Sequence, residues 1–566
     1  MADALQKKSA IEDKLKKIER EAEERDAKRK ASDAGLSYVD LKNIPVQIDA
    51  LSLISKEDAI KNKMAVVAKK RNSVAVVVSD PKNQGTKKVT ERLKSQGLKP
   101  EIMVGSLAGL RTIWRSYDFV KKELAEITGQ VVIDSQRLKE LRPKLVSIQS
   151  AKDEIVKILG SKLGVAPVLE ILLAAALSLK GSDIHLEPGE KNIKFRLRID
   201  GLLHDVFNEI ATQDYFFLIS RIKLLSSMKL NIHDAAQDGR FTINLGDKDI
   251  EIRSSVLPSE YGETAVLRIL DPETIRLTLN DLGLRDDDLV IINEELGRPN
   301  GMLLNTGPTG SGKTTTLYAF IMQVNKPESK IITLEDPIEY RLEGIEQTQV
   351  DDEAGYTFGN GLRSIVRQDP DVILVGEIRD LETADIALNA ALTGHLVFST
   401  LHTNDSFGAI PRLLDLGVKT AIIGPALNLI IAQRLVRRLC DKCKAEDSSF
   451  GGLKKQVQSF LKNLPDKVSK SKYKDFIKGQ GKIFKARGCT ACGGIGYGGR
   501  IAIMELLRIN DELSGLISKE VTESEIKKSA AKQGTVSIQG SGILKILEGV
   551  TTIEEVIRVT GPIVWQ

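Results

Sequence analysis

The stretch Gly307-Pro308-Thr309-Gly310-Ser311-Gly312-Lys313-Thr314 decides the fold of this chain, because it matches the phosphate-binding pattern G-x-x-x-x-G-K-[ST]. It follows the apolar run 301–305 and precedes the helical stretch 314–320, which is the strand-loop-helix context that such a loop requires. Glycines let backbone N–H groups wrap around phosphate oxygens, and the helix N-terminus adds partial positive charge. We therefore expect nucleotide contacts from Gly307, Pro308, Thr309, Gly310, Ser311, Gly312, Lys313, Thr314 and Thr315.

Within this loop, Lys313 is expected to neutralise the β- and γ-phosphates, and Thr314 is expected to ligate Mg²⁺. From residue 286 onward, apolar strand runs alternate with helical stretches, which is typical of a parallel sheet in an α/β fold. The runs are 302–305, 330–334, 372–375 and 396–400. Because the chemistry of such sheets lies at the carboxyl ends of the strands, the remaining catalytic groups are expected there.

Two of these strands run into acidic residues. Glu335 follows the run 330–334, and Glu377 follows the run 372–375 by one residue. At the phosphate edge of a sheet, one acid can hold magnesium and another can orient the attacking water. We assign the magnesium role to Glu377 and the water-activating role to Glu335. The alternative for either acid is a helix cap or an ion pair with an arginine.

Two histidines bracket the strand run 396–400. His395 precedes it and His402 follows it after one residue. We interpret them as candidate hydrogen-bond donors near the γ-phosphate, one at each end of the strand. A single histidine is weak support for such a role, so a purely packing role is the alternative for each.

The length of 566 residues, at roughly 150 residues per domain, predicts three or four domains. Lysine and arginine total 82 against 77 acidic residues, so the net charge of +5 is too small for the whole chain to bind polyanions. Four cysteines cannot form the disulfide framework of a secreted protein, and the longest apolar runs, 171–179 and 421–432, are shorter than the roughly 18 residues of a membrane helix. We therefore expect an intracellular chain that does not span a bilayer.

Shifts in composition divide the chain into segments. The first 30 residues carry 18 charged side chains, which predicts an exposed helix, whereas mixed strand and helix signals begin near residue 34. The predicted segments are a charged helix at 1–33, a small α/β domain at 34–110, a helical linker at 111–150, an α+β domain at 151–275, a linker at 276–285 and a nucleotide-binding domain at 286–566.

All four cysteines fall into two C-x-x-C pairs, Cys440 with Cys443 and Cys489 with Cys492, separated by 45 residues. Nearby glycines and this spacing are typical of a tetrahedral thiolate site, so we predict a structural Zn²⁺ in a module at 436–500. A redox dithiol or unliganded cysteines are the alternative, which the use of every cysteine in two pairs disfavours.

The insertion between the two pairs is the one basic patch of the sequence. Residues 451–488 hold eleven lysines and arginines against two aspartates, a balance of +9. Such a patch can contact acidic headgroups or an acidic loop of a membrane partner. A merely solvated loop is the alternative.

Four motifs resemble the Walker A, Asp box, Walker B and His box of the type II/type IV secretion ATPases, most closely the pilus-assembly branch. They read G-P-T-G-S-G-K-T-T-T-L-Y, E-D-P-I-E-Y, L-R-S-I-V-R-Q-D-P-D-V-I-L-V-G-E-I-R-D and T-G-H-L-V-F-S-T-L-H-T-N. With S-D-I-H-L-E-P and R-I-D-G upstream, the resemblance covers about 160–566.

This resemblance implies a multidomain α/β protein in which a PAS-like α+β domain at 151–275 precedes a RecA-like ATPase domain at 286–566. It further implies ATP and Mg²⁺ as cofactors, a homohexameric ring, and a cytoplasmic position peripheral to the inner membrane beneath a platform protein. The family's motors extract or push pilin subunits.

The small domain at 34–110 is similar to the N-terminal regulatory domain of that family. Some relatives bind cyclic di-GMP there through a leucine- and glycine-rich repeat. The sequence does not contain that repeat, because a charged helix occupies 1–33, so binding of cyclic di-GMP is not expected.

The strand runs 250–256 and 264–270 predict a hairpin in which Arg253 lies opposite Arg268. Like charges facing each other repel, unless an anion lies beside them. The family resemblance implies that these two positions supply arginine fingers to a nucleotide phosphate across the boundary between the PAS-like and RecA-like domains. The alternative is a pair of surface arginines bound to acids such as Glu251 or Glu263.

These observations predict a motor ATPase of type IV pilus assembly. A type II secretion pseudopilus ATPase is one alternative, and a DNA-uptake or DNA-translocating ATPase is another. No specific nucleic acid is expected as a partner, since the basic residues cluster in one insertion without the aromatic interleaving that single-strand binding favours.

Overall fold

The computed structural model describes residues 22–41, 48–51, 53–70, 72–114, 117, 133, 135–160, 166–246, 248–275, 277–519 and 522–565. Contacts divide the chain into two compact units, Met1–Ile269 and Leu270–Gln566. Among the described residues, every helix is too short or too polar to cross a bilayer.

The first unit begins with a helix over residues 22–34 (α1); residues 1–21, which belong to the predicted charged helix, lie outside the described residues. A four-stranded sheet follows, in the order β1-β4-β3-β2. Its strands are β1 (Ser37–Tyr38), β2 (Met64–Lys70), β3 (Ser73–Val78) and β4 (Lys99–Val104). The helices are α2 (Ile48–Leu51), α3 (Lys56–Lys61), α4 (Gln84–Ser95) and α5 (residues 107–114).

The region of the predicted helical linker is partly outside the described residues, at 115–116, 118–132 and 134. The helices that follow are α6 (Ser135–Leu141), α7 (Ile148–Leu159) and α8 (Ala166–Ser178). Ser147 begins α7 as a capping box, because its hydroxyl accepts the Ser150 amide while the Ser150 hydroxyl accepts the Ser147 amide. The last of the three, α8, is apolar except for Glu170, which pairs with Arg137, and Ser178, and its side chains at 167–177 are buried.

The second sheet of the first unit has six strands in the order β7-β6-β5-β10-β9-β8. The strands are β5 (Gly181–Pro188), β6 (Ile193–Ile199), β7 (Leu202–Phe207), β8 (Gln237–Asn244), β9 (Asp249–Ser259) and β10 (Gly262–Leu270), and helix α9 (Thr212–Leu225) lies between β7 and β8 in the chain. The predicted hairpin of β9 and β10 is confirmed, because the two strands are neighbours joined at residues 260–261.

The second unit is built on a seven-stranded sheet in the order β13-β12-β14-β15-β11-β16-β19. Its strands are β11 (Gly301–Thr306), β12 (Ile331–Glu335), β13 (Glu346–Gln349), β14 (Val372–Val375), β15 (Leu396–Leu401), β16 (Leu427–Leu439) and β19 (Tyr497–Arg508). Every neighbouring pair is parallel except β16 with β19. The predicted α/β class and the parallel sheet are thereby confirmed.

Alternating side chains of the parallel strands pack into cores on the two faces of this sheet. Met302 and Leu304 belong to one core, whereas Leu303 between them belongs to the other. The helices of this unit are α10 (Asp286–Leu296), α11 (Lys313–Val324), α12 (Phe358–Val366), α13 (Leu381–Leu392), α14 (Ala409–Asp415), α15 (Thr420–Ala426), α18 (Asp511–Ile517), α19 (Glu523–Lys532), α20 (Ile538–Leu547) and α21 (Ile553–Thr560).

The cysteine-containing insertion connects the two antiparallel strands β16 and β19, which come together where Leu439 faces Tyr497. It contains β17 (Ala445–Glu446), β18 (Phe484–Lys485), α16 (Phe450–Asn463) and α17 (Lys474–Ile477). The aromatic side chains of Phe460, Tyr473 and Phe476 are buried in an apolar core that the insertion shares with β16, β19, α20 and α21. The basic insertion is therefore a folded module rather than an open loop.

Candidate active site and metal centre

The phosphate-binding loop leaves the end of β11 with three glycines at positive φ: Gly307 at 153°, Gly310 at 78° and Gly312 at 88°. A Cβ atom on Gly307 would lie 2.6 Å from the carbonyl oxygen of Gln433, closer than side-chain carbons approach other atoms. The backbone angles at all three positions and the limited space at Gly307 thus favour glycine, and the absence of side chains lets backbone N–H groups approach phosphate oxygens.

Lys313 occupies the first position of α11, and its ammonium lies within the curve of the loop. Nζ donates to the carbonyl of Gly307 at 2.8 Å and to that of Pro308 at 3.3 Å. Burial lowers the pKa of Lys313, partly offset by the nearby carboxylate of Glu377 and reinforced by the guanidinium of Arg434. The cation is therefore at the place where a phosphate chain would enter the loop.

Gln433 anchors the loop and was not found from the sequence. Its Oε1 accepts hydrogen bonds from Asn305 and Thr316, both at 2.9 Å, and its Nε2 donates to the carbonyl of Ser311 at 2.9 Å. The side chain is 1% exposed. It ties together β11, the loop, α11 and β16, and its only sequence signal was an amide within the apolar run 427–436.

Arg434, the next residue, brings a second positive charge to the loop. Its Nη1 donates to the carbonyl of Gln433 at 3.0 Å, and its Nη2 donates to the carbonyl of Asn404 at 2.7 Å. Burial lowers the pKa of this guanidinium, opposed by Asp405 and Glu505. Two cations from one chain, Lys313 and Arg434, therefore border the candidate phosphate site.

Glu377 follows β14 and forms ion pairs with two side chains. Arg379 contacts its Oε1, and Nε2 of His402 lies 3.2 Å from its Oε2. Burial raises the pKa of Glu377, but Arg379 and His402 outweigh burial and lower it below its usual value. The structure thus brings together Glu377 and His402, as expected at the carboxyl edge, and adds Arg379, which the sequence reasoning missed.

Glu335 is the last residue of β12, the neighbour of β14 in the sheet. The carboxylate is 4% exposed and accepts hydrogen bonds from Tyr318, Thr333 and Gln347. The amide of Gly376 donates to the carbonyl of Leu334 at 2.8 Å, so Glu335 and Glu377 leave adjacent strands at the same edge. Both candidate acids therefore lie on the phosphate side of the sheet.

His395 is placed differently from the prediction. It precedes the first residue of β15, which pairs in parallel with Gly301 at the start of β11. The phosphate-binding loop follows the end of β11, about 20 Å along a six-residue strand. The expectation that His395 lies near the γ-phosphate of its own chain is thus wrong, because only the carboxyl end of a parallel strand reaches that edge. Its Nδ1 instead lies 3.0 Å from the carbonyl of Ala390 at the end of α13.

The two candidate arginine fingers belong to the first unit. Arg268 directs its Nε to Asp183 at 3.0 Å, and Arg253 directs its Nε to Glu251 at 3.3 Å. Their side chains are 57% and 26% exposed. The suggested alternative partner Glu263 is wrong for either arginine, because Glu263 forms a buried ion pair with Lys223 and contacts His233.

The four cysteines come together at the base of the insertion. All four sulfurs lie within 4.8 Å of one another, with Cys440 to Cys489 at 4.0 Å and Cys443 to Cys492 at 3.8 Å. Four sulfurs bound tetrahedrally to one Zn²⁺ at about 2.3 Å lie about 3.8 Å apart. The donor set and its dimensions therefore fit zinc, and the separations are far too long for disulfide bonds.

Backbone amides prepare one of these thiols for metal binding. The amides of Cys489 and Gly496 each donate to the sulfur of Cys492 at 3.2 Å. Burial raises the pKa of Cys492, but these hydrogen bonds outweigh burial and lower it to about 7. A thiolate, the form that binds zinc, is thus favoured at this position.

Replacing Cys440 with serine should release the zinc and destabilise the module, because the thiolates connect the ends of a long insertion. We expect about one zinc per wild-type chain and less than about half in Cys440→Ser by elemental analysis. ATP affinity should not change. The control is Thr490→Ser, in the same knuckle but without a thiol. Wild-type protein purified with less than about half a zinc per chain would contradict this assignment.

The chain is similar in sequence to a known protein family and to curated proteins. The family model "Type II/IV secretion system protein" matches residues 161–558. Among curated proteins, the chain is 37% identical to the type IV pilus assembly ATPase PilB of Myxococcus xanthus over 93% of this chain and 89% of that protein. It is 44% identical to the type II secretion system protein E of Pseudomonas aeruginosa over 70% of this chain and 76% of that protein.

The fold of a solved structure is also similar. The X-ray structure of the Yersinia pseudotuberculosis ATPase DotB aligns with a TM-score of 0.50 at 19% sequence identity, over 70% of this chain and 93% of that chain. At this level of identity the likeness concerns the fold alone. The family model and the curated relatives together show that the chain belongs to the type II/IV secretion system protein family.

Proposed function

We propose that this chain is the cytoplasmic ATPase motor that powers type IV pilus assembly, acting as a homohexamer on an inner-membrane platform protein. The observation that carries the proposal is the extent of the match to PilB, which includes 93% of the chain. The type II secretion relative from Pseudomonas aeruginosa matches only 70%. The N-terminal part of the chain therefore favours the pilus-assembly reading.

The candidate residues at the carboxyl ends of the parallel strands have separate roles in ATP hydrolysis. Lys313 neutralises the β- and γ-phosphates within the backbone cradle. Thr314, on the first turn of α11, and Glu377 supply the hydroxyl and carboxylate oxygens that Mg²⁺ prefers. Mg²⁺ held by these two residues would supply positive charge against the negative charge that develops on the phosphate oxygens. Glu335 accepts the proton of the attacking water.

Arg253 and Arg268 stabilise the transferring phosphoryl group from the PAS-like domain, either within one chain or across a subunit boundary. Arg268 is exposed and Arg253 is half-buried, so both side chains remain partly accessible, which supports this assignment. His402 is proposed to hold Glu377 in place through its Nε2. The tetracysteine centre holds a structural zinc and takes no part in the chemistry.

The basic insertion at 451–488 is proposed to contact the acidic surface of the inner membrane. Three of its eleven basic residues form ion pairs, whereas the other eight form none with any residue that the structure describes. Its aromatic side chains Phe460, Tyr473 and Phe476 are buried and cannot stack on bases. A lipid surface thus fits the insertion better than a nucleic acid.

The double variant Lys454→Glu/Lys455→Glu tests this contact, because both lysines are exposed at the start of α16. A lysine near an anionic surface contributes about 1 kcal/mol, so binding to phosphatidylglycerol vesicles should weaken by at least ~30-fold in co-sedimentation. The matched control is Lys87→Glu/Lys88→Glu on the exposed face of α4. Equal binding by both variants would show that the insertion is only a solvated surface.

Deletion of the gene tests the function itself. We expect loss of surface pili with normal export of folded proteins, restored by the wild-type chain but not by Lys313→Ala. Loss of protein export with intact pili would instead assign the chain to type II secretion, which the 44% identity over the shared region favours as the second candidate. ATPase activity stimulated by DNA would indicate a translocase.

A further inference from the structure

The carboxylate of Glu335 is surrounded by neutral hydrogen-bond donors. Oε1 accepts from the Thr333 hydroxyl at 2.7 Å and from Nε2 of Gln347 at 3.1 Å, and Oε2 accepts from the Tyr318 hydroxyl at 2.5 Å. Within the described part of the chain, no lysine or arginine pairs with it. Glu377, in contrast, forms an ion pair with Arg379 and lies beside the imidazole of His402. The two acids of this edge thus have different environments.

The number of acceptor sites on the carboxylate shows which oxygen remains available. A carboxylate offers about four lone-pair sites, two on each oxygen. Both sites of Oε1 are occupied by Thr333 and Gln347, and one site of Oε2 is occupied by Tyr318. The remaining acceptor site is therefore on Oε2, the oxygen that Tyr318 holds.

Tyr318 connects this oxygen to the phosphate-binding loop. It lies five residues after Lys313 on α11, the helix that the loop begins, and its side chain is fully buried. Burial and the adjacent Glu335 carboxylate raise the pKa of Tyr318 far above its usual value. Its hydroxyl consequently remains protonated and donates to Oε2, which links α11 to the carboxylate.

We propose that Tyr318 is the positioning residue for the catalytic base: it fixes Oε2 of Glu335 so that the free acceptor site takes the proton of the attacking water. In that step an O–H bond of water breaks and its proton passes to Oε2. The water oxygen bonds to the γ-phosphorus while the bond from phosphorus to the bridging oxygen breaks, which yields ADP and phosphate. The inference rests on the proposed role of Glu335.

Tyr318→Phe removes the one hydroxyl and keeps the ring. Because an unfixed base is misplaced by a fraction of an ångström, we expect kcat to fall roughly tenfold while the KM for ATP stays unchanged. The matched control is Tyr473→Phe, since Tyr473 is also buried and donates to a glutamate, Glu548, at 2.8 Å, but in the insertion. Its kcat should remain at the wild-type level.

A double-mutant cycle separates positioning from packing. In a Glu335→Gln background, the loss caused by Tyr318→Phe should shrink to less than about twofold, because no base remains to be positioned. The same tenfold loss in both backgrounds, a change in KM alone, or an unchanged kcat would overturn the proposal. Full activity of Glu335→Gln itself would instead refute the base assignment on which the proposal rests.

Discussion

Glu335→Gln should lower kcat at least ~10²-fold while ATP still binds, which is the scale expected for loss of a general base. Glutamine has nearly the same shape as glutamate but cannot take a proton from water. Lys313→Ala should behave differently and abolish hydrolysis, because it removes the charge opposite the β- and γ-phosphates. Glu335→Gln should therefore keep ATP binding and lose turnover, whereas Lys313→Ala should lose the charge that contacts the phosphates.

Equilibrium binding of a fluorescent ATP analogue and steady-state phosphate release measure the two quantities. The control is Glu343→Gln, an exposed acid in the segment between β12 and β13. A kcat close to that of the wild type in Glu335→Gln would move the role of base to Glu377.

The charges around the two acids favour the present assignment. Arg379 and His402 lower the pKa of Glu377 despite its burial, and a carboxylate that holds its proton weakly is a poor base but a suitable magnesium ligand. Among the residues that the structure describes, the hydrogen-bond donors to Glu335 are all neutral. The charges around the two acids are thus consistent with Glu377 as the magnesium ligand and Glu335 as the base.

The sequence predicted the elements of the nucleotide-binding sheet well because the information is local. The β11 strand, the glycine loop and α11 follow one another within 24 residues, and the buried strands are continuous apolar runs. Gln433 could not be found this way, since it is separated from Ser311 by 121 intervening residues and reaches the loop only through the sheet. The contact of Tyr318 with Glu335 could not be predicted from the sequence either, because a tyrosine in an apolar helix has the sequence pattern of an ordinary core residue.

Two predictions were wrong, the position of His395 and the pairing of Glu263 with an arginine. The first depends on the direction of a strand, and the second on the face of the sheet to which a side chain points. His395 and His402 flank the same strand, but only the carboxyl end of a parallel strand faces the phosphates, so only His402 reaches Glu377. Glu263 and Arg268 are five residues apart on β10 and therefore point to opposite faces of the sheet. Arg268 instead meets Asp183, its register partner on β5.

Loss of either candidate arginine finger should slow hydrolysis more than loss of the base does. Arg253→Ala and Arg268→Ala should each bind ATP nearly normally but hydrolyse it ~10³- to 10⁵-fold more slowly, the contribution of an arginine on a transferring phosphoryl group in other P-loop enzymes. The control is Arg92→Ala, because Arg92 is an exposed arginine on α4.

The proposal for these two arginines rests on the charges that face them. Arg253 has a like charge, Arg240, directly opposite on β8, and cross-strand like charges destabilise a sheet. Arg253 contacts Glu251 at 3.3 Å, and Asp183 contacts both Arg268 and Arg198. We propose that an anion such as a nucleotide phosphate meets these facing guanidinium groups.

Mixing variants decides whether that phosphate belongs to a neighbouring subunit. A chain with Lys313→Ala retains both arginines, and a chain with Arg268→Ala retains the phosphate-binding loop. If the fingers act in trans, mixed rings contain interfaces where an intact loop meets intact arginines, so activity should reappear although each variant alone is inactive. Loss without recovery on mixing would place the arginines and the loop they serve in the same chain, whereas normal turnover in both arginine variants would eliminate the fingers altogether.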